Sequence, residues 1–236
     1  MLHTFTSEEA AVRETAAACA RKISETIIDI DRQTGHSKEW WDAIHLLEKE
    51  GLLKLHIPKA LGGGGHGLFA VALAEEEIAK VDGGFANIVS HEACSYLIFT
   101  NAREAALRDD CLQRMSEGEL TCIAITEPTT GADLARMQTE ARRDGDHWVT
   151  SGHKRFASLA AAAGMYLVFA ITDRSKGTKG ISAFVIHKGT PGLSVGEPDD
   201  LMGYRQLPPP DRDPKEVRVA GNQLLDGSSF IVLSPL

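Results

Sequence analysis

The spacing of apolar residues along this chain changes character once. From Thr6 to about residue 116, apolar positions recur every three to four residues, the period of helices that bury one face. Thr6 with Glu9 has the capping-box pattern, and Val12, Ala16, Ile23, Ile27 and Ile30 follow at helical spacing, predicting a first amphipathic helix to about Gln33. Ser37 is placed to cap a second helix, which carries Trp40, Trp41, Ile44 and Leu47 and stops at Gly51. Runs at 69–80, 85–100 and 102–116 predict three more helices, and the histidines and tryptophans of this half read as packing residues.

After the tetrad "SEGE" the pattern shortens. Segments 120–126, 136–143, 147–156, 165–172, 180–187 and 217–219 are rich in Val, Ile, Thr and aromatics, and Asp-Gly, Ser-Gly, Lys-Gly and Pro-Gly turns separate them. "RRDGDH" is the clearest hairpin. The pattern predicts an α+β protein: a helical domain over 1–118, then a small antiparallel β domain over 119–225. Apart from the glycine run at 62–65, no repeat or low-complexity segment stands out.

Composition narrows the partners. A hydrophobic content of 43% in 236 residues suits a chain with a proper core, and a formal charge of −8 repels phosphate backbones and anionic lipid. The basic pairs, Arg142-Arg143 and Lys154-Arg155, are short, so neither nucleic acid nor membrane is expected as a partner. Cys19, Cys94, Cys111 and Cys122 have no Cys-x-x-Cys spacing, and "MLHTFTSEEAAVRE" lacks the basic and apolar segments of a leader; a reducing, cytoplasmic setting is expected.

Three motif matches are weighed and set aside. "GGGGHG" fits G-x-G-x-x-G over Gly62–Gly67, with Asp82 some twenty residues on, which makes a nicotinamide dinucleotide site a rival reading. Pro58-Lys59 interrupts the strand-like Leu53, Leu55, Ile57 run, and "AEEEIAKVD" is helical where a second strand should end. Ser151 and Lys154 match S-x-x-K without its companion triplets. "HEACS" begins like H-E-x-x-H, but residue 95 is serine, so no metal site is expected.

"ITEPTTGADL" at 125–134 is different: a turn sequence directly after the apolar strand "LTCIA", able to meet a polar ligand with backbone N–H groups and short side chains. Together with "IPKALGGGGHGLFAVALAEEEIAKVDGG", "TEARRDGDHWVTSGHKRFAS", "KGISAFVIHKGTPGLSV" and "LMGYR", it resembles the acyl-CoA dehydrogenases over roughly 5–205. The family's T-E-P-x-x-G-S-D appears as Thr126–Asp133 with alanine at 132. Its G-x-K-x-(W/F)-I-(T/S) appears as Gly152–Ser158 with alanine at 157.

The resemblance implies a helical N-terminal domain followed by a β-barrel domain that binds FAD and an acyl thioester, carried on CoA or an acyl-carrier protein. Carried over, Ile125 and Thr126 would meet the pyrimidine side of the flavin, Gly131 and Ala132 the pyrophosphate, and Phe156 and Ser158 the ring and its N5 edge. The implied reaction, in fatty-acid metabolism, is α,β-dehydrogenation, with a carboxylate taking the α-proton as the β-hydride passes to the flavin. In the family that carboxylate comes from a C-terminal helical domain, and the sequence stops at Leu236 before one. No catalytic residue is therefore assigned within 1–236, and Glu127 is read as structural. The expected function is that of an incomplete acyl-CoA dehydrogenase chain, inactive alone, that forms a homo-oligomer or takes the missing domain from a partner chain. The alternative is a non-catalytic accessory subunit. Departures gather at the end: Pro208, Pro209, Pro210 and Pro214 argue against a regular strand, and 226–236 forms a divergent tail.

Overall fold

The chain is described here by a computed structural model, which covers residues 4–33, 35–102, 104–196, 199–207, 217–220 and 223–226. The capping box forms as expected: Glu9 N–H donates to Thr6 Oγ1 (3.2 Å) and Thr6 N–H to Glu9 Oε2 (2.8 Å), opening α1 (Ser7–Ser24). The predicted long helix breaks at Glu25 and Thr26. Thr26 has φ −120° and its hydroxyl caps nothing, so a separate short α2 (Ile27–Asp31) follows. Trp40 N–H donates to Ser37 Oγ (3.2 Å) at the start of α3 (Lys38–Lys49), and Gly51, at φ 75°, ends it by adopting the left-handed conformation that a side chain disfavours. The predicted later helices are α4 (Leu68–Ala79), α5 (Gly83–Phe99) and α6 (Ala105–Ser116).

The chain divides into two compact units. The first holds Met1–Tyr96, Ser116–Gly118 and Asp200–Leu207; the second holds Leu97–Met115, Glu119–Asp199 and Pro208–Leu236. In the first, α1 packs along α4, and Arg13 Nε pairs with Glu77 Oε1 at 2.5 Å. Trp40 is fully buried, with its Nε1–H donating to Gln206 O (2.9 Å), so this tryptophan packs as expected. The strand-like Leu53, Leu55, Ile57 run is not a strand. A 3-10 helix (Leu52–Lys54) and turns bury these three side chains instead, which an alternating pattern alone does not distinguish.

In the second unit the predicted strands appear as β1 (Thr121–Ala124), β2 (Glu140–Asp144), β3 (His147–Ser151), β4 (Met165–Ile171), β5 (Ile181–His187) and β6 (Val217–Ala220), with an additional β7 (Leu224–Asp226). The hairpin at "RRDGDH" pairs Asp144 with His147, and Gly145 takes φ 60° in its turn. The expected antiparallel barrel is realised as a mostly antiparallel sheet ordered β6-β3-β2-β4-β5-β7, with β1 on β4; it does not close among the described residues. Two pairings, β1 with β4 and β2 with β4, are parallel. All of β4 and all but the last residue of β5 are buried, so both faces of these strands are covered. The prolines at 208–210 and 214, and the tail beyond 226, lie outside the described residues.

Candidate functional site

β5 pairs with β4 along its whole length, from Met165↔His187 to Ile171↔Ile181, so β1 and β2 must share the other edge. β1 takes Met165–Val168, and β2 begins at Glu140 opposite Ile171. Residues 125–139 therefore leave the sheet between two strands on one edge, and this excursion carries the Thr126–Asp133 motif. Glu127 N–H donates to Thr130 O (2.9 Å) and Thr130 N–H to Glu127 O (3.1 Å), which closes a tight turn through exposed Pro128 and Thr129. Thr130 Oγ1 donates to Arg136 O (2.9 Å). Gly131, Ala132 and Asp133 follow, all exposed, and a Cβ on Gly131 would meet nothing within 4 Å. Neither the Gly131 nor the Ala132 N–H donates a hydrogen bond among the described residues.

The second stretch, 152–158, lies against this excursion. A Cβ on Gly152 would come within 2.3 Å of Thr139 Oγ1 and 2.6 Å of Thr139 Cα, so glycine is what allows the approach. Arg155 N–H donates to Thr126 O at 2.7 Å. That bond joins the stretch bearing Phe156 and Ser158 to the one bearing Ile125, Thr126, Gly131 and Ala132. Phe156 is 55% exposed and takes φ 56°, a conformation that costs an L-residue roughly 1–2 kcal/mol, with the Arg155 guanidinium 5.2 Å from its ring centroid. Ser158 N–H donates to Phe156 O (3.1 Å). Below it Ala157, Ala160 and Ala163 sink into the core with Leu159 at φ 61°, and the Tyr166 hydroxyl donates toward Ala163 O (2.7 Å) and Ala160 O (3.1 Å).

At the centre is a pair that the sequence reading did not single out. Lys154 Nζ donates to Glu127 Oε1 (2.8 Å) and to Ile125 O (3.0 Å), with the two side chains only 1% and 2% exposed. The Glu127 carboxylate also accepts from Gln138 N–H (2.6 Å) and Thr139 N–H (2.9 Å). Burial pushes the Glu127 carboxyl upward, but the hydrogen bonds from Lys154 and Thr139 outweigh it and hold the group below its ordinary value. Burial pulls the Lys154 ammonium below its ordinary value against the opposing pull of Glu127, and its two acceptors, a carboxylate and a carbonyl, suit the charged form. Glu127 is thus committed to three donors and is not a base free to meet a ligand. Lys154 drew attention only through S-x-x-K. Lys154 lies three residues past β3, and no local signal pairs it with the glutamate of the other motif.

The glycine run behaves differently. Gly64 N–H donates to Lys54 O (3.0 Å), Gly65 N–H to Ile57 O (2.8 Å) and His66 N–H to Leu55 O (2.8 Å), so its donors serve its own chain. A Cβ on Gly63 would fall 2.1 Å from Ile57 O, and these glycines are packing positions without a preceding strand. No group of three or more His, Cys, Asp or Glu that could hold a metal occurs among the described residues.

Comparison with known proteins bears on what this arrangement serves. The description "Acyl-CoA dehydrogenase, N-terminal domain" matches residues 6–119, and "Acyl-CoA dehydrogenase, middle domain" matches 122–211. The chain belongs to the acyl-CoA dehydrogenase family. It is 37% identical over 188 residues to cyclohex-1-ene-1-carbonyl-CoA dehydrogenase of Geobacter metallireducens, covering 78% of this chain and 48% of that protein. It is 32% identical over 225 residues to 3-(aryl)acrylate reductase of Clostridium sporogenes, covering 94% and 59%. Butyryl-CoA dehydrogenase from Megasphaera elsdenii superposes with a TM-score of 0.91 at 28% identity, over 98% of this chain and 62% of that one. The chain spans about half the length of the curated relatives it matches.

Proposed function

We propose that this acyl-CoA dehydrogenase family chain binds FAD and an acyl thioester in α,β-dehydrogenation, using the two stretches around the Arg155–Thr126 bond. The observation that carries the reading is the donor set: undonated N–H groups at exposed Gly131 and Ala132, and an aromatic ring held outward at Phe156 in a left-handed conformation. Backbone donors in an open turn suit pyrophosphate oxygens, and an outward aromatic face suits a flavin ring. Thr126 and Ser158 add hydroxyls that donate or accept at ring heteroatoms, and Ile125 flanks them. These residues fit the dinucleotide. FAD, when bound, supplies the hydride acceptor; the chain's own residues bind and orient it. Proton abstraction from the thioester is not assigned to Glu127, which is locked to Lys154. The thioester carrier, CoA or carrier protein, and assembly with further copies or with a partner chain belong to the same proposal.

Titrating the chain with FAD and, separately, with NADH tests the proposal. Saturable quenching of flavin fluorescence, with an altered flavin spectrum in Ser158→Ala, is expected. No saturable binding of FAD overturns it, and saturation by NADH in its place favours the nicotinamide dinucleotide rival.

A further inference from the structure

We infer that Lys154 is a positioning residue: its buried ammonium, gripping the Ile125 carbonyl and the Glu127 carboxylate, sets how the two site stretches lie against each other. The inference rests on the proposed flavin site and adds the device that holds it in shape. The geometry is a three-way tie. Gln138 and Thr139 N–H groups at the far end of the excursion bind the Glu127 carboxylate, Glu127 itself sits at its near end, and Lys154 reaches both Glu127 and Ile125 from the second stretch. The next residue, Arg155, donates to Thr126, and the one after it carries the outward ring. Displacing the Lys154 head group therefore displaces Ile125 and Phe156 relative to each other.

Stability alone is a poor account of this pair. Taking two charges out of water costs several kcal/mol per ion, and apolar residues of similar volume commonly replace a buried pair at no loss or with a gain. The use best attested for such a pair is to fix one arrangement among several that an apolar contact would tolerate. Here the neighbourhood offers alternatives. Among the described residues the excursion pairs with no strand over 125–139 beyond its own Glu127–Thr130 bridge, and the stretch after Lys154 contains two residues, Phe156 and Leu159, in a conformation that relaxes readily without a constraint. Among the described residues, the Arg155 to Thr126 bond and the close approach of Gly152 to Thr139, next to the Glu140–Ser151 pairing, would otherwise carry the registration.

The test is the double variant Glu127→Met with Lys154→Met in the full chain, which removes both charges at nearly constant volume. We expect an unfolding midpoint within a few degrees of wild type, Arg155 and Thr130 amide exchange accelerated at least tenfold relative to Leu167 in β4, and FAD binding weakened at least tenfold. Lys154→Gln, which keeps a donor for the Ile125 carbonyl, should recover part of both effects. Unchanged exchange at Arg155 and Thr130 in a folded variant overturns the inference, whatever FAD does. If the double variant does not fold, exchange in Lys154→Gln decides by the same criterion. Should the wild-type chain bind no FAD, the proposed function falls while the exchange measurement still judges the positioning role.

Discussion

Replacing Glu127 by glutamine keeps its shape and removes its charge, which makes it the sharpest probe of the buried pair. Oε1 receives Lys154 Nζ and Thr139 N–H, and Oε2 receives Gln138 N–H. Whichever way the amide turns, its NH2 faces at least one donor, which leaves a buried N–H unpaired at about 1–3 kcal/mol. Lys154, with a side chain 1% exposed, also loses its counter-charge, and breaking a buried pair from one side costs about 3–5 kcal/mol. The two costs overlap, so Glu127→Gln should lose about 3–5 kcal/mol in urea unfolding at pH 7. The acid arm fixes the sign. Because the folded carboxyl is held below its ordinary 4.5, its contribution is complete above that pH and is lost as pH falls through the folded value. The gap between wild type and variant should therefore close on acidification. A loss under about 1 kcal/mol at pH 7, or a gap independent of pH, would refute the ionised, hydrogen-bonded role argued for Glu127.

Other perturbations have equally defined outcomes. His56 is 6% exposed, its ring nitrogens have no hydrogen-bond partner among the described residues, and burial brings it down to about 4 from 6.5; stability should fall by up to about 3 kcal/mol as pH drops from 6.5 to 4, and His56→Phe should flatten that slope in thermal melts. Gly152→Ala puts a Cβ 2.6 Å from Thr139 Cα and should cost about 1–3 kcal/mol, read by chemical denaturation; a neutral result would remove the close approach from the account. Phe156→Gly relieves φ 56°, so stability should hold or rise by up to about 1 kcal/mol while FAD affinity drops at least tenfold. Destabilisation beyond 1 kcal/mol would show that the ring serves the fold.

Much of the fold was legible because local chemistry and burial agreed. Thr6 and Ser37 capped where their spacing indicated, Gly51 stopped α3 where a positive φ was needed, and the Asp-Gly turn between β2 and β3 set the hairpin. Failures occurred where tertiary packing replaced a local signal. Ile27 and Ile30 kept the helical period of α1 across a real break at Thr26, because the same buried face continues onto α2. Leu53, Leu55 and Ile57 alternated like a strand yet were buried by a 3-10 helix and the turns after it. The parallel pairings of β1 and β2 with β4 had no sequence signal, since parallel and antiparallel partners place the same residues in the same covered sheet.

The site was legible in a more uneven way, and the reason is physical. Thr126, Gly131, Phe156 and Ser158 are assigned through the resemblance to the family's two motifs, with which the turn chemistry of 125–134 is compatible but which it does not by itself specify. What holds such a loop is a contact between residues far apart in sequence, and Lys154 with Glu127 spans 27 positions. A lysine just past a strand ordinarily reads as solvated, and nothing local indicates that its stem is buried and its ammonium spent on a carbonyl and a carboxylate. The motif therefore mixes two kinds of position. An exposed position such as Ala132, where the family motif has serine, can change at the cost of one side-chain hydrogen bond, whereas the buried pair is expected to tolerate change only together. On this argument, swaps at 129 or 132 should shift cofactor affinity one at a time, while 127 and 154 should show strong coupling in a double-mutant cycle. Additive effects at 127 and 154 would mean that the buried pair is two independent contacts and not one device.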